Sequence, residues 1–279
     1  MTIVVLWRSK QRDQILCIAD TRLSKNEATL TDHGPKILPV PVVSHRHEGG
    51  AKWRAVRRTT VGFAYSGSSL AAMGTHSIAS ACTQNLTIPG KNDRPVPLDE
   101  IAELFRTVAE HYVKDMASRL GFTSSPSSAF FDGIIFGHCY SQKKLRAFKI
   151  TPILSVATFN VDLTELNLNE FHVIGSGKRK FLELHNELNH SHPNPGMLTT
   201  FGEMIVREVQ PDVGGHAQIG IADQKGGFRL QPFLNPGING ATLSFLGWNI
   251  NTVNIFSDFQ IGFEAFKNDA MWNSSKKKL

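Results

Sequence analysis

Two short, almost wholly apolar segments near the start of the chain constrain its fold more than any other feature. Residues 3–7 read Ile-Val-Val-Leu-Trp and residues 15–19 read Ile-Leu-Cys-Ile-Ala, with a polar stretch between them. Apolar runs of this length that do not alternate with polar residues are typical of strands covered on both faces. The sequence therefore predicts a hairpin of strands 2–7 and 15–19 that is buried inside a layered protein.

Three residues with catalytic potential flank this hairpin: Thr2 before its first strand, Asp20 after its second, and Lys36 at the start of the next strand. A threonine hydroxyl needs a base, and an N-terminal threonine carries one as its own α-amine. We expect methionine aminopeptidase to remove Met1, because the side chain of Thr2 is small. The freed amine titrates at about 8, and the ammonium of Lys36 would lower that pKa. Asp20 is the candidate that orients Lys36.

Four motifs along the chain, taken in order, resemble those of proteasome β-type subunits and of their bacterial relatives, the HslV peptidase and the Anbu proteins. The motifs are Ala19-Asp20-Thr21-Arg22, Pro35-Lys36-Ile37, Ala64-Tyr65-Ser66-Gly67-Ser68 and Ile174-Gly175-Ser176-Gly177. The resemblance covers roughly residues 2–222 and does not extend into the last part of the chain. It implies a threonine-type N-terminal-nucleophile hydrolase.

The resemblance also implies a role for each matching residue. Thr2 would be the nucleophile and its amine the base, with Lys36 and Asp20 setting the electrostatics. The amide of Gly67 would donate to the oxyanion, and Ser176 would form a hydrogen bond with the amine. Structural alternatives stay open for two of these residues, because a strand–helix turn can require a glycine and serine is a preferred helix N-cap.

One stretch departs from the pattern of the family, which has an aspartate and then a serine shortly before a pair of glycines. Here Asp212 precedes Gly214-Gly215 and no serine lies between. Asp212 then takes the place of either the aspartate or the serine. One hydrogen-bonding partner of the amine is therefore missing or replaced, and His216 is a candidate replacement.

The predicted elements run as strands, two helices, strands, two helices and strands, without the strand–helix–strand alternation of a parallel sheet. This order predicts the α+β class, and specifically a four-layer αββα sandwich of two antiparallel sheets, the fold of the N-terminal-nucleophile hydrolases. Strand 36–43 is expected to be short or at an edge because of its prolines. Asp99 is the expected N-cap of the second helix. The other predicted elements are a polar loop at 23–34, a solvated charged loop at 44–58, and helices that start after Gly67-Ser68, at Ser176 and at 197–209.

Two regions are expected: an N-terminal-nucleophile hydrolase domain over residues 2–234, and a C-terminal extension over 235–279 that is rich in aromatic residues and ends in a basic tail. The formal charge is +6, but the basic residues are dispersed and no nucleic-acid-binding motif accompanies them. The three cysteines are expected to be buried thiols, and His45, His47 and Glu48 do not make a metal site. No metal or cofactor is expected, and neither is a signal peptide, a membrane helix or a nucleic-acid partner.

Three functions fit these patterns. The first is a cytoplasmic threonine endopeptidase that assembles into a homo-oligomeric ring and cleaves peptides or unfolded proteins, with an ATPase as a possible partner. The second is an amidohydrolase for a small amide, with a pocket built by residues 44–58 and the C-terminal extension. The third is a non-catalytic structural subunit that keeps only the fold.

Overall fold

The chain forms a mixed α/β structure. The computed structural model describes residues 2–25, 28–88, 94–119, 126–154, 159–191, 196–235, 242–252, 261 and 266–267. The strands in this part of the chain are β1 (Val4–Ser9), β2 (Gln14–Asp20), β3 (Leu23–Lys25), β4 (Ala28–Thr31), β5 (Ile37–Gly49), β6 (Lys52–Gly67), β7 (Leu86–Thr87), β8 (Phe131–Cys139), β9 (Lys144–Leu154), β10 (Phe159–Glu165), β11 (His172–Ile174), β12 (Ala217–Asp223), β13 (Gly227–Gln231), β14 (Phe233–Asn235), β15 (Thr242–Phe245), β16 (Trp248–Asn249) and β17 (Phe266–Lys267). The α-helices are α1 (Ser69–Gln84), α2 (Leu98–Arg119), α3 (Lys178–Ser191) and α4 (Met197–Val206).

The predicted N-terminal hairpin lies in the middle of a five-stranded antiparallel sheet of order β11-β1-β2-β12-β13. Residues 3–6 and 17–19 are fully buried, which confirms that both faces of these strands are covered. The register pairs Val4 with Ala19 and with Ile174. The end of β2, the start of β1 and the end of β11 therefore lie side by side.

A second, six-stranded sheet has the order β10-β9-β8-β6-β5-β7 and is antiparallel except for the short β5–β7 pair. Helices α1 and α2 share an apolar cluster with this sheet, in which Phe63 and Phe105 are fully buried. Helices α3 and α4 share another with the first sheet, through Phe181 and Phe201. A third cluster joins side chains of both sheets, including Val4, Cys17, Ile134 and Phe136.

Several predicted boundaries were wrong. Part of the loop predicted at 23–34 is the hairpin β3–β4, and the charged stretch 44–58 continues the β5–β6 hairpin, because paired strands satisfy backbone groups even where side chains are polar. Strand β5 is therefore long. Pro39 and Pro41 nevertheless lie where β5 pairs with β6 alone, since β7 pairs only at Ser44 and His45. This edge position is where a missing N–H is tolerated.

Smaller corrections concern single residues and helix ends. Helix α2 begins at Leu98, so Asp99 lies inside the first turn and is not the N-cap. Ser68 caps α1, and its hydroxyl accepts from Ala71 N. Helix α4 ends at Val206, ahead of the predicted 209, since Glu208 has a positive φ of 50°. Cys82, expected to be buried, is exposed.

A small sheet of order β16-β15-β14-β17 joins strands of the C-terminal extension to β14, which begins at Phe233 inside the predicted domain. Strands β15 and β16 make a hairpin whose two-residue turn is Leu246-Gly247, both with positive φ. The division of the chain at residue 234 stays a prediction. Among the described residues, no helix is long and apolar enough to cross a membrane, and no three metal-ligating side chains come together.

Candidate active site

A buried ion pair lies at the end of β2. Lys36 Nζ is 2.7 Å from Asp20 Oδ1, and both side chains are completely buried. Lys36 Nζ also donates to the carbonyl oxygen of Arg22 at 2.6 Å. Two of the three N–H groups of this ammonium are therefore directed by the Asp20–Arg22 turn, which fixes the position of the charge.

The carboxylate of Asp20 is held by backbone amides as well. Oδ1 accepts from Ile3 N at 3.0 Å, and Oδ2 accepts from Arg22 N at 3.2 Å and from Gly214 N at 3.1 Å. Burial raises the pKa of Asp20 and lowers the pKa of Lys36, because each charge loses water, and the ion pair opposes both shifts. With four donors around it, the carboxylate is a rigid partner for the ammonium.

Gln218, which the sequence analysis did not single out, ties three segments of the site together. Its Oε1 accepts from Lys36 N at 3.1 Å and Ile37 N at 3.2 Å. Its Nε2 donates to the carbonyl oxygens of Asp20 at 3.0 Å and Gly34 at 3.3 Å. A lone amide within the apolar run of β12 is a signal that could have identified it, since a buried polar group requires partners.

The turn before α3 holds Thr2. The backbone nitrogen of Thr2 is 3.2 Å from Ser176 Oγ, and Gly177 N donates to Thr2 O at 3.3 Å. Gly175 has φ +104°, and a Cβ there would lie 2.0 Å from Thr2 O. Glycine is therefore required at 175 so that the turn can approach the backbone of Thr2.

Thr2 lies in the wall of an open cavity of about 380 Å³. Gly67, at the end of β6, is in the same wall and is exposed. Its φ is +102°, and a Cβ there would lie 2.6 Å from Phe130 O. Glycine is thus required at 67, and its backbone borders the same space as Thr2 and Ser176. The cavity lining is Thr2, Ser66, Gly67, Phe130, Phe131, Asp132, Lys149, Pro152, Val173, Ile174, Gly175, Ser176 and Lys178.

Asp212 is not among the residues that line this cavity. It is buried, and Gln210 Nε2 donates to its Oδ2 at 3.2 Å. The nearby Gly214 is the residue that contacts the site, through its amide to Asp20. His216 is also absent from the cavity lining, and its backbone N donates to Thr21 Oγ1 at 2.7 Å. A direct role for Asp212 or His216 at the amine stays a prediction.

The C-terminal extension contacts the back of the site. His33 Nδ1 lies 2.8 Å from the carbonyl oxygen of Gly247, at the tip of the β15–β16 hairpin. A Cβ at Gly247 would lie 3.1 Å from both His33 Cα and Thr21 Cγ2. Neither this hairpin nor the stretch 44–58 is among the residues described as lining the cavity. A pocket for a small amide built by 44–58 and the C-terminal extension stays a prediction, since most of that extension lies outside the described residues.

Solved structures share this architecture. Anbu (ancestral beta-subunit) from Yersinia bercovieri matches with a TM-score of 0.51 at 11% identity, over 82% of this chain and 86% of that one. An Anbu (Gly-1) mutant from Hyphomicrobium sp. strain MC1 matches with a TM-score of 0.52 at 13% identity, over 83% and 85%. Comparison with protein-family models and with curated proteins gives no match. At these identities the likeness establishes an Anbu-like fold, so the resemblance is confirmed at that level for the Anbu proteins.

Proposed function

We propose that this chain is a threonine-type N-terminal-nucleophile hydrolase that cleaves peptide bonds. After the Met1–Thr2 bond is cut, the α-amine of Thr2 accepts the hydroxyl proton while Oγ1 attacks the substrate carbonyl. The amide of Gly67 donates to the oxyanion that forms. The proton passes to the leaving amine, the C–N bond breaks, and water then hydrolyses the ester left on Thr2.

The observation that carries this proposal is the position of Thr2. Its backbone nitrogen lies 3.2 Å from Ser176 Oγ. Thr2 also lines the same cavity as Gly67, the glycine proposed to donate to the oxyanion. The segment that precedes β1 is bonded to the buried pair, because Ile3 N donates to Asp20. The backbone around the proposed nucleophile is therefore held on two sides, and in this mechanism the charge of Lys36 acts on it from the side of Asp20. Such a charge would lower the pKa of the nearby amine toward the operating pH.

The proposal extends to architecture and assembly. We propose a four-layer αββα sandwich, with α1 and α2 covering one sheet and α3 and α4 the other, as the three apolar clusters support. Because the chain resembles proteasome β-type subunits and their bacterial relatives, we propose that it acts in the cytoplasm as a homo-oligomeric ring that cleaves peptides or unfolded proteins. An ATPase would be a partner of that ring.

The test is the intact mass of the purified protein, before and after treatment with an epoxyketone or β-lactone directed at N-terminal threonine. We expect loss of methionine and one covalent adduct, and no adduct on Thr2→Ala. Retained methionine together with no adduct would instead indicate the structural subunit. Methionine loss without an adduct would show a processed but unreactive site, and would direct attention to the stretch around Asp212.

Turnover then distinguishes the two hydrolase functions. We expect Thr2→Ala to abolish peptide hydrolysis while its thermal unfolding and its oligomeric mass stay nearly unchanged, because only a hydroxyl and one methyl group are lost and the backbone contacts remain. Unchanged peptide turnover in Thr2→Ala would remove Thr2 from the mechanism. If the wild type forms the covalent adduct but does not hydrolyse peptides, a small amide is favoured as the substrate.

A further inference from the structure

Two cavities meet at one wall beside Thr2. The cavity at Thr2 shares four lining residues with a second cavity of about 580 Å³, namely Lys149, Val173, Ile174 and Lys178. An extended peptide advances about 3.3–3.6 Å per residue, so a few residues of substrate suffice to pass from one cavity to the other. Any substrate that extends this way from Thr2 must cross the shared wall.

Six of the eleven residues that line the second cavity are apolar. The lining residues come from β8, β9, β11, the loop between β10 and β11, and α3. The apolar ones are Ile134, Leu166, Phe171, Val173, Ile174 and Leu182. Burying an apolar side chain of the substrate against such a wall is favourable, by the hydrophobic effect. The cavity therefore fits an apolar residue of the substrate, next to a wall that carries two lysines.

Lys149, on β9, is only loosely paired. Its nearest carboxylate within ion-pair distance, among the described residues, is Asp132 at 3.5 Å. The two side chains are 31% and 30% exposed. An ion pair this long and this hydrated contributes little energy, so Lys149 can turn to an incoming anion at small cost.

Lys178, the first residue of α3, carries the second charge. Arg179 and Lys180 beside it both pair with Glu183, at 3.3 Å and 2.9 Å. No ion pair within 4 Å involves Lys178 in the part of the chain that the structure describes. Arg179 and Lys180 are thus paired on the surface of α3, whereas Lys178 lines both cavities.

The acidic side chains place the anion site more closely. Glu170 lines the second cavity and accepts from Asn167 Nδ2 at 3.2 Å. Its charge disfavours an anion deep in that cavity. His172 is directed to Asn167 O at 2.8 Å. Asp132 lines the first cavity 3.5 Å from Lys149, so an anionic group is best accommodated at the shared wall on the side of Lys178.

We propose that this wall binds a carboxylate of the substrate, close to an apolar residue that enters the second cavity. The inference rests on the proposed function, since it names the class of peptide that Thr2 cleaves. The carboxylate comes either from an aspartate or glutamate side chain or from the free C-terminus of a short peptide. Both sources offer the same chemistry to the two ammonium groups, a charge-assisted hydrogen bond.

The test compares peptides that differ only in this carboxylate. Starting from a peptide that the wild type cleaves, four versions combine Asp or Asn near the cleaved bond with a free or an amidated C-terminus. We expect kcat/KM to be about tenfold higher for one acid than for its amide, the order of a hydrogen bond to a charged group. We expect Lys178→Met to remove most of this preference, and Lys180→Met, in the same helical turn, to keep it. An effect of Asp against Asn identifies a side-chain carboxylate as the source, and an effect of the free against the amidated end identifies the C-terminus.

Equal kcat/KM for all four peptides, or a preference that survives in Lys178→Met, would overturn the proposal. A second measurement separates it from the chemistry. Fluorescence anisotropy of labelled acid and amide peptides on Thr2→Ala reports binding without turnover. If the acid peptide binds more tightly than the amide, and Lys178→Met removes this difference, the carboxylate site is supported even if the wild type cleaves no peptide. Cleavage without any such difference in binding or kcat/KM would leave the proposed function standing and remove the carboxylate site.

Discussion

Two lysine–aspartate pairs near Thr2 have opposite environments. Lys36 and Asp20 are fully buried, 2.7 Å apart, and further held by three backbone amides and a carbonyl oxygen. Lys149 and Asp132 are 3.5 Å apart and each about a third exposed. The first pair can only keep one geometry, because an unpaired charge in that position would lose both water and partner.

The second pair can exchange its partner at little cost. The difference shows how one candidate site can combine two requirements, since the first pair is buried behind the cavity at Thr2 and the second lines it. In the proposed function, the charge that tunes the nucleophile must not move, whereas the charge that meets the substrate must be free to turn. The predictions that follow test this contrast, starting with the substitution expected to have the largest effect.

The buried pair should be indispensable. We expect Lys36→Ala to lower kcat/KM by at least about a hundredfold, since the amine loses its tuning charge, in the range of general-base contributions. We also expect a loss of about 3–5 kcal/mol in unfolding free energy, because Asp20 is left buried and unpaired. Steady-state kinetics and urea titration measure the two effects. A rate loss below about tenfold would make Lys36 a structural residue only.

The glycine across the cavity should come next. Gly67→Ala brings a Cβ to within 2.6 Å of Phe130 O at φ +102°, so the backbone must shift, and the amide proposed as the oxyanion donor shifts with it. We expect kcat to fall by roughly 10²-fold, the lower end for loss of one oxyanion donor. Gly49→Ala is the matched control, because Gly49 has nearly the same φ, +103°, but nothing lies within 4 Å. Equal losses in both variants would mean that backbone strain alone is responsible.

The C-terminal hairpin should matter less, since it contacts the rigid pair only through neighbours. Gly247→Ala would press on Thr21 and His33 at φ +87°, and we expect a loss of about 1–3 kcal/mol, as for strained or overpacked positions. A several-fold fall in kcat should accompany it if the pressure reaches the Asp20–Arg22 turn. Gly49→Ala, with φ +103° and open space, controls for strain. Unchanged stability relative to Gly49→Ala would show that the hairpin tip is not held against the site.

The exposed pair should respond least. We expect Asp132→Asn to change the unfolding free energy by no more than about 1 kcal/mol, since a partly exposed ion pair contributes little. Removing this negative charge should also raise the preference of the wall for a carboxylate peptide. Chemical denaturation and the acid-to-amide ratio of kcat/KM measure both. A loss of stability comparable to that of Lys36→Ala would erase the contrast between the two pairs.

Much of the site could be predicted from the sequence because its parts are local patterns. Apolar runs indicate buried strands, so the N-terminal hairpin and the residues at its ends, Thr2 and Asp20, were predictable. Lys36, Gly67 and Ser176 were each placed by a short motif at the end or start of an element. The long β5–β6 hairpin was not predictable, because its outer half is polar and backbone pairing holds it together.

What only the tertiary structure decided is which distant groups meet. Gln218 bonds to Lys36 across 182 positions of sequence, and Gly214 donates to Asp20 across 194. Likewise, Lys149 and Lys178 share one wall although β9 and α3 are separated by two strands. Hydrogen-bonding capacity is visible in a side chain, but its partner depends on how the sheets and helices pack. The chain by itself therefore determined the chemical groups of the site, and the packing determined that one lysine is buried against Asp20 while two others line the cavity at Thr2.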